Sequence, residues 1–145
     1  MSCLLDTNVV SEMMRPHPEP RVARFLDRVA GNGLHVSAIT VWEILNGIGQ
    51  LEHADRRTDL ARRFRDTLTL VLADEVLDWT EEDAEACARI MEDKRRLGEP
   101  LDSHLPDAML AGTAASRGLA LVTRNTRDFR NTGVPVINPW DDARI

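Results

Sequence analysis

The sequence predicts a single α/β domain in three layers, with helices on both faces of a mostly parallel central sheet. Short apolar runs of strand length alternate with amphipathic stretches of helical period, as in chains built from βαβ units with right-handed crossovers. The length of 145 residues is typical of one domain. No linker, internal repeat or low-complexity segment divides the chain, so we expect one domain over residues 1–145.

The predicted elements alternate in type along the chain. We expect strands at residues 3–5, 35–38, 75–77, 120–122 and 134–137, and helices at residues 6–14, 20–30, 40–51, 55–72, 80–97 and 106–117.

Capping residues and prolines set the predicted boundaries in the first half of the chain. Asp6 supplies a side-chain acceptor after the first strand and starts a helix, which must stop before the proline-rich residues 16–20. The next helix begins at Pro20, because proline suits a first turn, and two glycines close it. The third helix starts at Thr40 and so places Glu43 on its first turn. Its inward-facing residues are expected to be Val41, Ile44, Leu45 and Ile48.

Similar signals set the boundaries in the second half. The fourth helix is amphipathic and rich in arginine. Thr80 and Asp83 have the spacing of a capping box and open the fifth helix, which ends near Gly98. The sixth helix has Pro106 in its first turn and Gly118 after its last.

The composition is acidic, with a formal net charge of −6, and this argues against uniform electrostatic attraction to nucleic acid. The arginines from Arg56 to Arg65 either face solvent on a helix or follow a phosphate backbone. No apolar run is long enough to span a bilayer and no secretory signal opens the chain, so we expect a cytoplasmic protein without a membrane partner. Cys3 and Cys87 are expected to be buried thiols rather than zinc ligands.

Five polar side chains stand where a predicted strand ends or a helix begins. They are Asp6, Glu43, Asp107, Asn125 and Asp128. Because the carboxyl ends of parallel strands meet at one edge of a sheet, we expect these side chains to converge. Two carboxylates about 4 Å apart repel by on the order of 4 kcal/mol at an effective dielectric of about 20. Either protons are retained with raised pKa values or a divalent cation offsets the repulsion, and an all-oxygen site suits Mg²⁺, with Mn²⁺ as a substitute.

Four segments that carry these residues occur in a characteristic order. They are residues 5–12, 37–47, 106–114 and 122–129. Together they resemble the PIN-domain ribonucleases of the VapC toxin type, and the closing Asn138-Pro139-Trp140 is similar to the FitB-like branch. The resemblance covers essentially the whole chain.

The resemblance implies a PIN domain that hydrolyses RNA with a magnesium-activated water, is inhibited by a small VapB-like antitoxin and forms a homodimer. Asp6 and Asp107 match the main metal ligands, and Glu43 completes the metal site or orients the water. Asn125 stands where the branch places an aspartate. Asp128, one helical turn further on, either supplies the missing charge or only holds the loop.

Neighbouring residues are expected to assist these acids. Thr7, Asn8 and Thr123 are predicted to orient the site, and Arg124 and Arg127 to contact RNA. Among the tryptophans, Trp42 and Trp79 are expected in the core, whereas Trp140 lies either in the core or at an interface.

Two other functions stay open at this point. One is a PIN-like module that acts mainly in a DNA-bound toxin-antitoxin complex with little nuclease activity, and Asn125 favours it. The other is a different metal-dependent phosphotransfer enzyme, such as a phosphatase or a phosphorylated receiver. A receiver needs a lysine that faces its aspartate, and Lys94, the only lysine in the chain, lies far from a predicted strand end.

Overall fold

A computed structural model of the chain describes residues 1–141. Its strands are β1 (Cys3–Leu5), β2 (Leu34–Ser37), β3 (Val76–Leu77), β4 (Ala120–Val122) and β5 (Val136–Ile137). Its α-helices are α1 (Thr7–Met13), α2 (Pro20–Val29), α3 (Ala38–Gly49), α4 (Ala54–Leu70), α5 (Glu81–Arg96) and α6 (Leu105–Arg117). Short 3₁₀ helices lie at Ala30–Asn32, Thr126–Phe129 and Pro139–Asp141.

The strands form one sheet in the order β3-β2-β1-β4-β5, and every neighbouring pair is parallel. β1 is central, with Cys3 opposite both Leu34 and Ala120. The parallel sheet and the alternation of strands with helices confirm the predicted α/β fold class.

Two apolar clusters cover the two faces of the sheet, because successive side chains of a strand point to opposite sides. Cys3 and Leu5 belong to the cluster that includes buried residues of α1 to α4. Leu4 belongs to the other cluster, with buried residues of α5 and α6. The central strands β1 and β4 are buried on both faces, as parallel strands between helical layers must be.

Helices α5 and α6 lie very close together at Gly112. A Cβ atom there would lie 2.7 Å from the Cys87 Cβ and 2.8 Å from the Asp83 carbonyl oxygen. The α5 end of this contact carries the capping box expected at Thr80, whose hydroxyl oxygen accepts from the Asp83 N–H. Both cysteines are buried and free, as expected.

The third helix begins earlier than the sequence indicated. Ser37 rather than a later residue caps α3, and its hydroxyl oxygen accepts from the Ile39 N–H at 3.0 Å. Glu43 consequently lies in the second turn, so its predicted first-turn position was wrong. The predicted orientation of Leu45 was also wrong, since its side chain is 49% exposed, and Trp42, expected in the core, is 57% exposed.

Other differences are smaller. The 3₁₀ helix Thr126–Phe129 was not predicted, and β5 is two residues shorter than expected at its start. Trp79 is partly buried against the second cluster. Trp140 is 7% exposed and belongs to the first cluster, which places it in the core. No α-helix of residues 1–141 is both long and apolar enough for a membrane span.

Candidate active site

The site lies at the carboxyl edge of the sheet, where β1 and β4 end side by side. The Asp6 N–H donates to the Val122 carbonyl oxygen at 2.9 Å, so the residues that follow the two strands are adjacent. β2 ends next to β1 and leads directly into α3, which carries Glu43. Strand order thus brings distant parts of the sequence to one edge, as expected for an open α/β sheet.

Asp6 is buried, with 4% of its surface exposed, and is held by three donors. Its Oδ1 accepts from the Thr7 N–H at 2.7 Å, which makes Asp6 the N-cap of α1. Its Oδ2 accepts from the Thr123 hydroxyl at 2.7 Å and from the Asn8 amide at 3.3 Å. Burial raises the pKa of Asp6 above its ordinary value, although the hydrogen bonds from Thr123 and Thr7 oppose the shift. Asp6 is therefore the N-cap of α1, as predicted, and also receives hydrogen bonds from Asn8 and Thr123.

Glu43 is tied to the same edge through Thr7. The Thr7 hydroxyl donates to Glu43 Oε1 at 2.6 Å and lies 3.2 Å from the hydroxyl oxygen of Thr40, which is fully buried. Because Thr7 immediately follows Asp6, this hydrogen bond connects the first turns of α1 to the second turn of α3.

Asp107 stands in the first turn of α6 and is electrostatically coupled to the other acids. Partial burial, followed by the charges of Asp6, Asp128 and Glu43, raises the pKa of Asp107 to about 6. The charge of His104 acts in the opposite direction. Four carboxylates from four parts of the sequence therefore share one region of negative potential.

The segment after β4 contributes Asn125 and Asp128 differently. The Asn125 N–H donates to the Thr123 hydroxyl oxygen at 3.0 Å, and Asn125 is the residue before the 3₁₀ helix Thr126–Phe129. The Asp128 N–H donates to the Asn125 carbonyl oxygen at 3.1 Å. The charge of Asp128 also raises the pKa of Asp6 and of Asp107, so this carboxylate faces the acidic region.

The donor set suits a hard cation, because it consists of carboxylate, hydroxyl and amide oxygens. The side chains are nevertheless not gathered around one point. Within residues 1–141, no group of three or more histidine, cysteine or acidic side chains is arranged so that it could hold a metal ion. Hydrogen bonds to Thr7, Asn8 and Thr123 hold the Asp6 oxygens, while Asp107 keeps a raised pKa that a cation would lower.

Two nearby residues were missed by the sequence analysis. His104, at the start of α6 and three residues before Asp107, brings its charge close to that carboxylate. Thr40 was predicted only as a helix start, yet its buried hydroxyl oxygen lies 3.2 Å from that of Thr7. Asp102, in contrast, forms an ion pair with Arg95 at 2.6 Å.

The predicted RNA-contacting arginines occupy different surroundings. The Arg124 N–H donates to Asn8 Oδ1 at 3.2 Å, and its guanidinium carbon lies 4.9 Å from the centroid of the Trp140 ring. Arg127 is exposed on the neighbouring 3₁₀ helix. In α4, Arg62 and Arg63 pair with Asp59 at 2.6 and 2.8 Å. Those two arginines are thus engaged within their own helix.

A groove of about 520 Å³ runs from the acidic site along α1, α3 and α4. Thr7 and Glu43 stand at the end that meets the site, and the floor is apolar. The groove is also lined by Met14, Arg15, Ile44, Gly47, Ile48, Leu51, Arg56, Leu60 and Arg63.

Comparison with known proteins identifies the family. The model of the PIN domain matches residues 3–135. The chain belongs to the PIN domain family. This PIN domain is 34% identical to Toxin FitB of Neisseria gonorrhoeae over 139 residues, which cover 96% of this chain and 99% of that protein. It is 31% identical to VapC ribonuclease Y4jK of Sinorhizobium fredii over 140 residues, or 97% and 99% of the two chains.

A solved structure gives the same result for the fold. The crystal structure of FitAcB from Neisseria gonorrhoeae matches this PIN domain with a TM-score of 0.83 at 33% identity, covering 96% of this chain and 99% of that one. The resemblance predicted from four short segments is therefore confirmed at the level of the family.

Proposed function

We propose that this PIN domain is a Mg²⁺-dependent endoribonuclease and the toxin of a VapBC-type toxin-antitoxin pair. The observation that carries the proposal is the electrostatic coupling of Asp6, Glu43, Asp107 and Asp128 at one edge of the sheet, which together with partial burial raises the pKa of Asp107 to about 6. Relatives that match nearly the whole chain are named a toxin and a ribonuclease. The proposed substrate is cellular RNA. We therefore also propose that the protein acts in the cytoplasm.

Asp6 and Asp107 would hold the ion, and Glu43 would complete the site or orient the attacking water. A bound Mg²⁺, or Mn²⁺ in its place, supplies activation of water and neutralisation of charge on the phosphodiester. The water oxygen bonds to phosphorus as the bond between phosphorus and the leaving sugar oxygen breaks. The leaving sugar oxygen takes up the proton that the water loses. No covalent bond to the enzyme forms.

The remaining residues act on these acids. Thr123 and Asn8 fix the Asp6 carboxylate through Oδ2. Thr7 holds Oε1 of Glu43 by a hydrogen bond and so restricts the orientation of that carboxylate. Asp128 adds negative charge in place of the aspartate that Asn125 replaces. Asn125 offers an amide oxygen to the ion or its water.

The test is RNA cleavage by the purified chain with Mg²⁺ and with EDTA. Asp6→Asn and Asp107→Asn should each reduce the rate at least about 100-fold, because even residues that only orient metal ligands contribute about 10- to 100-fold. Asp102→Asn is the matched control, since Asp102 is an aspartate near Asp107 that pairs with Arg95 instead. Cleavage at the wild-type rate by both site variants, or unchanged cleavage in EDTA, would refute the proposal.

The proposed protein partner is a small antitoxin that occupies the groove along α1, α3 and α4. The apolar floor fits the apolar face of an amphipathic segment. Arg56 on the lining would pair with an acidic residue that flanks such a face, since Arg63 is paired with Asp59 and Arg15 with Glu12. Glu43, at the end of the groove near the acidic site, would pair with a basic residue of the antitoxin. Occupation of this groove would close the acidic site to RNA. We also propose a homodimer.

A further inference from the structure

Arg124 combines an exposed position with a fixed side chain. Its guanidinium carbon lies 4.9 Å from the centroid of the Trp140 ring, within the range of a cation–π contact. Its backbone N–H is bound to Asn8 Oδ1, and the Asn8 amide in turn donates to Asp6 Oδ2. Two hydrogen bonds, one from Arg124 to Asn8 and one from Asn8 to Asp6, therefore connect the backbone of Arg124 to the Asp6 carboxylate.

Trp140 is a rigid support for this guanidinium. The ring is 7% exposed and packs in the first apolar cluster. Its backbone N–H donates to Asn138 Oδ1 at 2.9 Å, which fixes the turn that follows β5. β5 is the neighbour of β4, and Arg124 comes two residues after β4 ends. The two residues thus meet at the carboxyl edge of the sheet.

The contact leaves the hydrogen-bonding edge of Arg124 available. A guanidinium stacked on a ring uses its face, whereas its five N–H groups point outward in its plane. Within residues 1–141, Arg124 has no carboxylate partner, although Arg62, Arg63 and Arg117 pair with aspartates. An immobilised guanidinium with unused donors has the geometry that binds phosphate oxygens in pairs.

We propose that Arg124, positioned by the Trp140 ring, binds a phosphate of single-stranded RNA beside the acidic site. This inference rests on the proposed ribonuclease function. The net charge of −6 makes such a local contact necessary, because the chain as a whole repels RNA. Trp140 is a positioning residue, and Arg124 is the group that touches the substrate.

The test measures binding of a fluorescent single-stranded RNA oligonucleotide in EDTA, where metal-dependent cleavage is absent. Arg124→Gln should weaken binding about tenfold and reduce the slope of log affinity against log salt by about 0.7, the value for one single-strand phosphate contact. Arg96→Gln is the control of equal charge change, because Arg96 pairs with Glu92 on α5. That variant should keep the wild-type affinity.

A double-mutant cycle isolates the role of Trp140. Trp140→Leu keeps an apolar side chain but removes the ring, and should weaken RNA binding in the Arg124 background but not further in the Arg124→Gln background. Trp140→Phe should restore most of the affinity because it restores a ring. Thermal melts establish the folded fraction of each variant, and only folded protein enters the binding analysis.

The outcomes separate this inference from the function on which it rests. Wild-type affinity and salt slope for Arg124→Gln would overturn the phosphate contact even if Mg²⁺-dependent cleavage is found. Equal losses from Trp140→Leu in both backgrounds would overturn the positioning role. RNA binding that depends on Arg124 without any cleavage would support the contact and contradict the nuclease.

Discussion

Asp6 and Asp107 are both aspartates of the same site, yet their surroundings differ. Asp6 is buried among donors that offset the cost of its charge. Asp107 is less buried and has no such donors in the part of the chain that the structure describes, and its partial burial together with the charges of three other acids raises its pKa to about 6. The electrostatic cost of assembling the site therefore falls mainly on Asp107, the residue that would gain most from a cation.

The raised pKa of Asp107 predicts how stability depends on pH. Between an ordinary aspartate pKa of about 3.9 and a pKa of about 6, the native state binds more protons than the unfolded state, so the free energy of unfolding falls as pH rises through this window. Asp107→Asn removes the ionisable carboxyl and with it this loss of stability. In metal-free buffer the variant should be more stable than wild type at pH 7.5, and the difference should vanish near pH 4.

Urea unfolding at pH 7.5 and near pH 4 measures this difference in stability. Asp102→Asn is a control whose effect on stability should have the opposite sign. Pairing with Arg95 lowers the pKa of Asp102, so this carboxylate stabilises the native state above its unfolded pKa. Its replacement should lower stability slightly at pH 7.5. An Asp107→Asn variant that is less stable than wild type at pH 7.5 would contradict the charge coupling.

Helix α3 serves the site and the groove at once. Glu43 reaches the acids, while Ile44, Gly47 and Ile48 line the groove. A Cβ atom at Gly47 would meet nothing within 4 Å, so a side chain there enters the groove without a clash. Gly112 in α6 is the contrasting case, because there the close approach of α5 requires the absence of a side chain.

Filling the groove at Gly47 should therefore block the protein partner without unfolding the chain. Gly47→Phe places a ring in the groove, and a mid-helix glycine is itself about 0.5–1 kcal/mol less favourable than alanine, so its loss does not weaken the helix. Gly49→Phe is the matched control, since Gly49 lies on the same helix in equally open space but does not line the groove. Only the first variant should fail to copurify with the proposed antitoxin. Equal retention of that protein by both variants would contradict the groove as the docking site.

For the whole molecule, we expect native stability to depend on cations, because the net charge is −6 and several acids lie close together at one edge of the sheet. A ligand that binds only the native state stabilises it by about 2.7 kcal/mol at a concentration 100 times its Kd. Mg²⁺ should accordingly raise the melting temperature by several degrees more than Na⁺ at equal ionic strength.

The Asp6→Asn, Asp107→Asn double variant provides the control for this measurement, because it keeps the surface charges and removes the proposed ligands. Its melting temperature should respond equally to the two salts. Identical curves for the wild-type chain in millimolar Mg²⁺ and in matched Na⁺ would count against a metal site at this edge.

The sequence by itself determined the fold class and supplied the acids that we propose for the site. Local signals sufficed where one residue sets one element, as at Asp6, Pro20 and the Thr80–Asp83 capping box. They failed at α3, where Ser37 and Thr40 are both acceptable starts and Ser37 is the cap, and they did not predict the exposure of Trp42 and Leu45. The helix propensity of a segment does not decide which of two neighbouring capping residues, such as Ser37 and Thr40, starts the helix.

Only the tertiary structure decided how the site's groups are connected. The contacts from Thr7 to Glu43, from Thr123 to Asp6 and from Trp140 to Arg124 join residues that are distant in sequence or in different elements. The pKa of Asp107 near 6 likewise comes from its burial in the folded chain and from charges that strand order brings together. Sequence patterns record the period and caps of each element, whereas distances between elements depend on how the sheet and its helices pack.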